Sequence, residues 1–260
     1  LITKRFASLT FAAIQSSVIT ITNTLLDIAS SPDPQAILET MRAEILSDIS
    51  SNPSQPPWDK AVLARLRHVD SAIRESMRLN GFVARGIMKT VMAPGGITLW
   101  DGTHLPKGAK VGIQAYSVHR DEDFYPNAQT YQPFRFVSPP HSRRPDQETD
   151  TAIASGSDTE SLHLSCTPSK LTVDSTASIS SGRKKPLALV TTSPTFLAFS
   201  HGPNACPGRF FAANQMKLTL AHIALYYDIE PLPQRPESRW FVGSLGPPFD
   251  VMVRVRRRRA

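Results

Sequence analysis

Two cysteines, Cys166 and Cys206, are all that the 260 residues contain. They stand in unlike surroundings, so no disulfide framework is expected, and a reducing compartment with at least one thiol kept for chemistry is. Long hydrophobic runs are also lacking. No stretch reads as the roughly 20 apolar residues of a membrane span, and no charged, apolar and small-residue pattern at the start marks a signal peptide. The chain opens on Leu1 rather than Met, as though inside an element, so a preceding N-terminal half is expected. Aromatic residues are absent from 138 to 194, a stretch dense in Ser and Thr. Such a segment buries too little apolar surface to offset its ordering entropy, and disorder is expected there, with Cys166 an exposed thiol of no particular role.

What is present is ordinary for a globular chain: 40% hydrophobic and 20% charged residues, enough for one large domain or two small ones. The net charge is +7, part of it in Arg254, Arg256, Arg257, Arg258 and Arg259. A basic tail can hold nucleic acid, anionic lipid or an acidic partner. It lacks the aromatic interleaving of a single-strand binder, so the 254–260 tail reads as a solvated end and nucleic acid is not an expected partner.

Residues 2–29 carry Phe6, Leu9, Ile14, Val18, Ile21, Leu25 and Ile28 at near-helical spacing, with Ala, Ser and Thr between them. This predicts a helix buried nearly all round. A second helix starts where Asp33 can cap and Pro34 suits the first turn. A third, capped by Asp59, has the most regular stripe: Val62, Leu66, Val69, Ile73 and Met77. From Phe82 to Gln114, turn signals such as Pro94-Gly95-Gly96 and Asp101-Gly102 predict short strands. A last long helix follows Gly208, and turns with short strands follow Pro231.

The chemistry concentrates at Phe199-Ser-His-Gly202-Pro-Asn204-Ala-Cys206-Pro-Gly208-Arg209. A glycine-bearing loop presents one thiol at the start of a helix, whose free N–H groups favour thiolate. Gly202 and Gly208 let backbone pass close to a large flat ligand. With no second Cys or His at ligand spacing, the thiol cannot complete a zinc site. A buried structural cysteine, a hydrolase nucleophile and an axial ligand of haem iron all remain open on the residues alone.

The pattern F-x-x-G-x-x-x-C-x-G, met by Phe199, Gly202, Cys206 and Gly208, resembles the signature of the cytochromes P-450. Glu75 and Arg78 resemble the family's E-x-x-R, and Tyr131-Gln-Pro133-Phe-Arg135-Phe136 its later loop. The resemblance implies a buried triad of Glu75, Arg78 and Arg135. It also implies a mainly α fold with small β-sheets, of which this chain is the C-terminal portion without the N-terminal half, the 138–194 insert lying within one domain. Cys206 becomes the metal ligand of haem b (iron protoporphyrin IX), with Phe199, Gly202, Asn204, Gly208 and Arg85 as further cofactor-binding residues and His119 as structural. In the first helix, Ala12 to Ser17 align with the family's Ala/Gly-Gly-x-acid-Thr-Thr. Ser16 retains the hydroxyl, whereas Gln15 replaces the acid, so these two are the catalytic candidates for guiding protons.

The implied activity is a monooxygenase, inserting one atom of dioxygen into a lipophilic small molecule with electrons from an NADPH-cytochrome reductase. The turns at Phe82–Met88 and Gly243–Gly246 resemble substrate-contacting ones. The resemblance further implies the cytosolic face of the endoplasmic-reticulum membrane, reached through the N-terminal half. A haem-thiolate isomerase or dehydratase needing no reductase, and a truncated non-catalytic fragment, are the alternatives.

Overall fold

The structure is a computed structural model that describes residues 2–51, 58–137 and 187–259. Three long helices and a broken one form the core. These are α1 (Ile2–Ala29), α2 (Pro34–Ser51), the pair α3 (Lys60–Arg65) and α4 (Arg67–Asn80), and, after short strands and the one-turn α5 (Ala115–Val118), α6 (Arg209–Tyr226). Residues Ile28, Leu38, Met41, Ile45, Leu66, Ile73, Met216 and Leu220 meet in one buried cluster contributed by all of the long helices. Among the described residues the strands make four two-stranded antiparallel ribbons: β1 (Gly86–Thr90) with β4 (Lys110–Ile113), β2 (Ile97–Thr98) with β3 (His104–Leu105), β5 (Tyr227–Ile229) with β8 (Val255–Arg257), and β6 (Arg239–Phe241) with β7 (Ser244–Gly246). A mainly α fold with small sheets is therefore present.

The caps follow the sequence. Asp33 Oδ1 accepts the N–H of Ala36 at 2.9 Å, and Asp59 Oδ1 that of Val62 at 2.7 Å. The third helix differs from expectation, because it breaks at Leu66, whose ψ of 86° leaves the helical region. Glu44, on α2, supplies the missing cap: its carboxylate accepts the N–H groups of Arg67 and His68 at 2.7 and 3.0 Å. A neighbouring helix thus satisfies the free N-terminal donors of α4.

Helix α1 is not buried all round. By length and composition it could cross a membrane, which corrects the reading that no stretch qualifies. Its C-terminal half instead packs into the core with Leu26, Ile28 and Ala29 buried, while Phe6, Leu9 and Phe11 stay exposed. Two further expectations change. Residues 187–194, expected to be disordered with the rest of 138–194, are ordered, and Leu189 in their apolar run Leu187 to Val190 is fully buried; 138–186, including Cys166, lie outside the described residues. The segment is held from α4: Arg74 Nη1 donates to the carbonyls of Ala188 and Thr191 at 2.7 Å each, and Asp70 Oδ2 accepts the N–H of Leu189. The basic tail is also not a loose end. Strand β8 pairs with β5, and Asp228 accepts from Arg256 and Arg258 at 3.2 and 2.7 Å.

Candidate functional site

Behind the site lies the ion network. Glu75 Oε1 accepts from Arg78 Nη2 at 2.8 Å and from Arg135 Nε at 2.9 Å, and its Oε2 accepts from Arg78 Nε at 2.8 Å. The side chains of Glu75 and Arg78 are wholly buried. Such burial is tolerable because every remaining donor has an acceptor. Arg78 Nη1 reaches the carbonyls of His119 and Ala128, and Arg135 reaches those of Pro126 and Asn127. The network stitches α4 to the loop at 119–135.

The cysteine loop runs from Phe196 to α6. Ser200 and Gly202 adopt φ of +61° and +73°, which turn the chain back so that the Phe199 carbonyl accepts the Cys206 N–H at 2.8 Å. Glycine suits that left-handed backbone. Open space surrounds the position a Cβ would take at Gly202, and the residue does not line the cavity. Its backbone makes the turn that brings Cys206 back to the Phe199 carbonyl. Gly208, by contrast, does line the cavity, and a Cβ there would sit 3.9 Å from the Cys206 sulfur. Arg209 Nη1 donates to the Cys206 carbonyl at 2.7 Å and closes the loop on the first turn of α6.

A cavity of about 640 Å³ separates this loop from α1. Cys206, Phe199, Asn204 and Gly208 line one wall; Leu9, Ala12, Ala13, Ser16, Ser17 and Thr20 line the other; Arg85, with Phe82 and Val83, forms a side. The structure therefore brings together Ser16, Cys206, Phe199, Asn204, Gly208 and Arg85. It does not bring in Gln15, which is exposed and absent from the lining. The reason is helical phase: Ala12, Ser16 and Thr20 share one face, and Gln15 sits about 100° away. His119 is also outside the cavity, buried, with its pKa pulled down to about 4 by desolvation first and by the neighbouring Arg78 charge second.

Two further hydroxyls line the cavity: Ser17, at the motif's last Thr position but not among the catalytic candidates, and Thr20, beyond the motif. They continue the Leu9, Ala12/Ala13, Ser16/Ser17 stripe at helical spacing, a signal present in the sequence. Ser16 and Thr20 donate back to the carbonyls of Ala12 and Ser16 at 2.8 and 2.9 Å. Each donor is thus held within the helix, with oxygen lone pairs still free to accept.

The donor set decides what this cavity can hold. Among the described residues no group of three or more His, Cys, Asp and Glu could bind a metal ion. A metal at Cys206 must then bring its other donors with it, as iron in a porphyrin does. The apolar walls suit the ring faces of a porphyrin, and Arg85, the one cation in the lining among the described residues, suits a carboxylate at its edge. The residues present fit haem.

Comparison with known proteins agrees. The family model for cytochrome P-450 matches residues 2–148 and 183–248. The chain is 33% identical to cytochrome P-450 monooxygenase polB of Polytolypa hystricis over 98% of its own length and 42% of that protein's. It is 34% identical to the monooxygenase efuH of Hormonema carpetanum over 95% of the chain and 38% of that protein. A crystal structure of a cytochrome P-450, CYP102L1, superposes with a TM-score of 0.60 at 23% identity, over 96% of this chain and 44% of the other. The chain thus spans about two fifths of the length of the curated relatives it matches. With signature loop, buried ion triad and matching fold in one chain, it belongs to the cytochrome P-450 family, whose cofactor is haem.

Proposed function

We propose that this chain forms the cysteine-bearing part of a haem monooxygenase that oxygenates a lipophilic small molecule. The observation that carries the reading is one thiol, Cys206, facing the hydroxyl-bearing side of α1 across a largely apolar cavity. In this role Cys206, just ahead of α6, would hold the haem iron through its sulfur. Haem ligated by thiolate supplies dioxygen activation, because the sulfur pushes electron density onto iron and favours O–O cleavage. The protein's own part is placement. The Phe199 carbonyl and Arg209 fix the backbone of Cys206, Arg85 and Asn204 take the ring's polar edge, and the apolar wall keeps water out. Ser16 holds a proton at Oγ and can turn it from the Ala12 carbonyl toward the cavity.

Electrons come, in this reading, from an acidic NADPH-cytochrome reductase drawn to the basic chain. The full-length protein is placed on the cytosolic face of the endoplasmic reticulum. A second reading, rearrangement or dehydration of an already oxygenated substrate without a reductase, is favoured by one observation: among the described residues no carboxylate lines the cavity. Turnover of a peroxide substrate but none with reductase supports it. The leading reading is tested by the reduced, carbon monoxide-bound spectrum of the haem-loaded full-length protein beside Cys206→Ala. A strongly red-shifted Soret band that the substitution abolishes is expected; its persistence in C206A, or its absence from the parent protein, refutes thiolate ligation by Cys206.

A further inference from the structure

Two side chains link the buried ion network to the segment that leads into the cysteine loop: Tyr125, which lies under Arg78 and donates to the Thr195 carbonyl at 2.8 Å, and the imidazole of His119, which bonds inside the loop's own backbone. His119 is 3% exposed, and its ring stacks on Phe196 with centroids 5.5 Å apart and planes 25° apart. Its Nε2 accepts the N–H of Leu197 at 2.8 Å, while its carbonyl accepts Nη1 of Arg78. A ring that accepts at Nε2 is neutral and carries its proton on Nδ1. Its environment enforces that form, since burial and the adjacent Arg78 disfavour the imidazolium. Leu197 is itself 1% exposed, so water cannot stand in for the acceptor.

The residues that follow Leu197 are the ones the site depends on. Ala198 and Phe199 line the cavity, and the Phe199 carbonyl holds the Cys206 N–H. We propose that His119 is a positioning residue for the thiol: its Nε2 fixes the Leu197 N–H, and through Phe199 it sets where Cys206 stands in the cavity. The ion triad thereby reaches the cysteine loop through His119, whose carbonyl accepts from Arg78 and whose ring accepts from Leu197. This inference rests on the reading of Cys206 as the haem ligand.

The test uses the haem-loaded full-length protein, at matched haem content and well below each variant's melting temperature. The ratio of the red-shifted thiolate band to the thiol-type band is read in the reduced carbon monoxide complex. His119→Phe keeps ring, volume and stacking but removes the acceptor. His119→Gln places an amide oxygen near the position of Nε2. An unpaired buried N–H relieved only by moving the loop is expected to lower the ratio about tenfold in H119F, and H119Q to restore it to within about twofold. Loss of folding stability alone leaves the ratio unchanged at these temperatures, so the rescue separates positioning from packing. If H119F does not fold, His119→Asn replaces it, because its acceptor falls short of Leu197, and the same comparison with H119Q decides. A parental ratio in the variant lacking the acceptor, or glutamine no better than that variant, overturns the inference. A parent protein without the thiolate band overturns the Cys206 reading and this inference with it; a normal parent with a silent variant overturns this inference alone.

Discussion

Replacing Glu75 by Gln keeps the shape of the side chain and removes its charge. The native carboxylate accepts four hydrogen bonds: two from Arg78, one from Arg135 and one from the Gln132 N–H. A glutamine offers one oxygen and directs two N–H donors at guanidinium groups. Arg78 has no exposed side-chain surface, so its charge remains buried without a counterion. Removing one partner of such a pair costs about 3–5 kcal/mol, out of about 5–15 kcal/mol for a whole domain. Arg78 keeps its bonds to the carbonyls of His119 and Ala128, which places the expectation near the lower end, about 3 kcal/mol, or roughly a hundredfold more unfolded protein. Urea unfolding followed by far-ultraviolet circular dichroism measures this. The double substitution Glu75→Leu with Arg78→Met is the control and should cost less than E75Q alone, since it leaves no charge behind. A loss below about 1 kcal/mol in E75Q, the range of exposed pairs, or a double variant worse than the single, refutes the assignment of the cost to an orphaned charge.

Other perturbations follow the same logic. His119 has a folded pKa of about 4 against an ordinary 6.5, so the unfolded chain takes up its proton first as pH falls. Its contribution is complete above about pH 6.5 and lost as pH falls to about 4, amounting to about 3 kcal/mol. Unfolding free energies at pH 7 and pH 4.5 should therefore converge more in H119Q than in the parent. Buried Asp27 has its pKa raised by desolvation and acts in the opposite sense, so the difference between the two proteins isolates His119. Asp70→Asn leaves Lys217 buried without its partner at 2.6 Å and should cost about 3 kcal/mol in urea unfolding, with Lys217→Met in the same chain recovering part of it. Gly243→Val should weaken haem binding in a spectrophotometric titration of the full-length protein. The residue has φ +89°, and a Cβ there comes within 3.2 Å of Arg85 Nε, so the backbone strain of about 1–3 kcal/mol is joined by displacement of the cavity's cation. Unchanged haem affinity in that variant contradicts a role for Arg85 at the edge of the ring.

Local features were legible where a short pattern carries its own physics. Asp33 and Asp59 cap because a carboxylate three residues ahead of a free N–H needs nothing from elsewhere. The break at Leu66 was not legible, because its cause is Glu44 on another helix. Nor was the order at 187–191: its apolar run Leu187 to Val190 was averaged into the Ser/Thr-rich stretch before it, and the partners of its backbone, Asp70 and Arg74, lie more than a hundred residues earlier. The exposed half of α1 reads as apolar in any window, and burial there is decided by what packs against it.

The candidate site divides in the same way. Cys206 and its loop were found by motif, since turn, thiol and helix start lie within a few residues. Gln15 was assigned by alignment to a pattern, yet it lies outside the cavity that Ser16 lines. Counting in fours from Ala12 reaches Ser16 and Thr20, but the step of three lands on Gln15, so periodicity alone leaves Gln15 in play and only the cavity lining sets it aside. His119 shows the converse case. Nothing in His119-Arg120-Asp121 points to Leu197, 78 residues away, and its meaning appears only once the fold lays the imidazole against the N–H it accepts. If Cys206 holds the haem as proposed, the site depends on two sets of residues. One set is local and readable, and presents the sulfur. The other is assembled by α4 and the 119–135 loop, and determines whether the sulfur stays where it is presented.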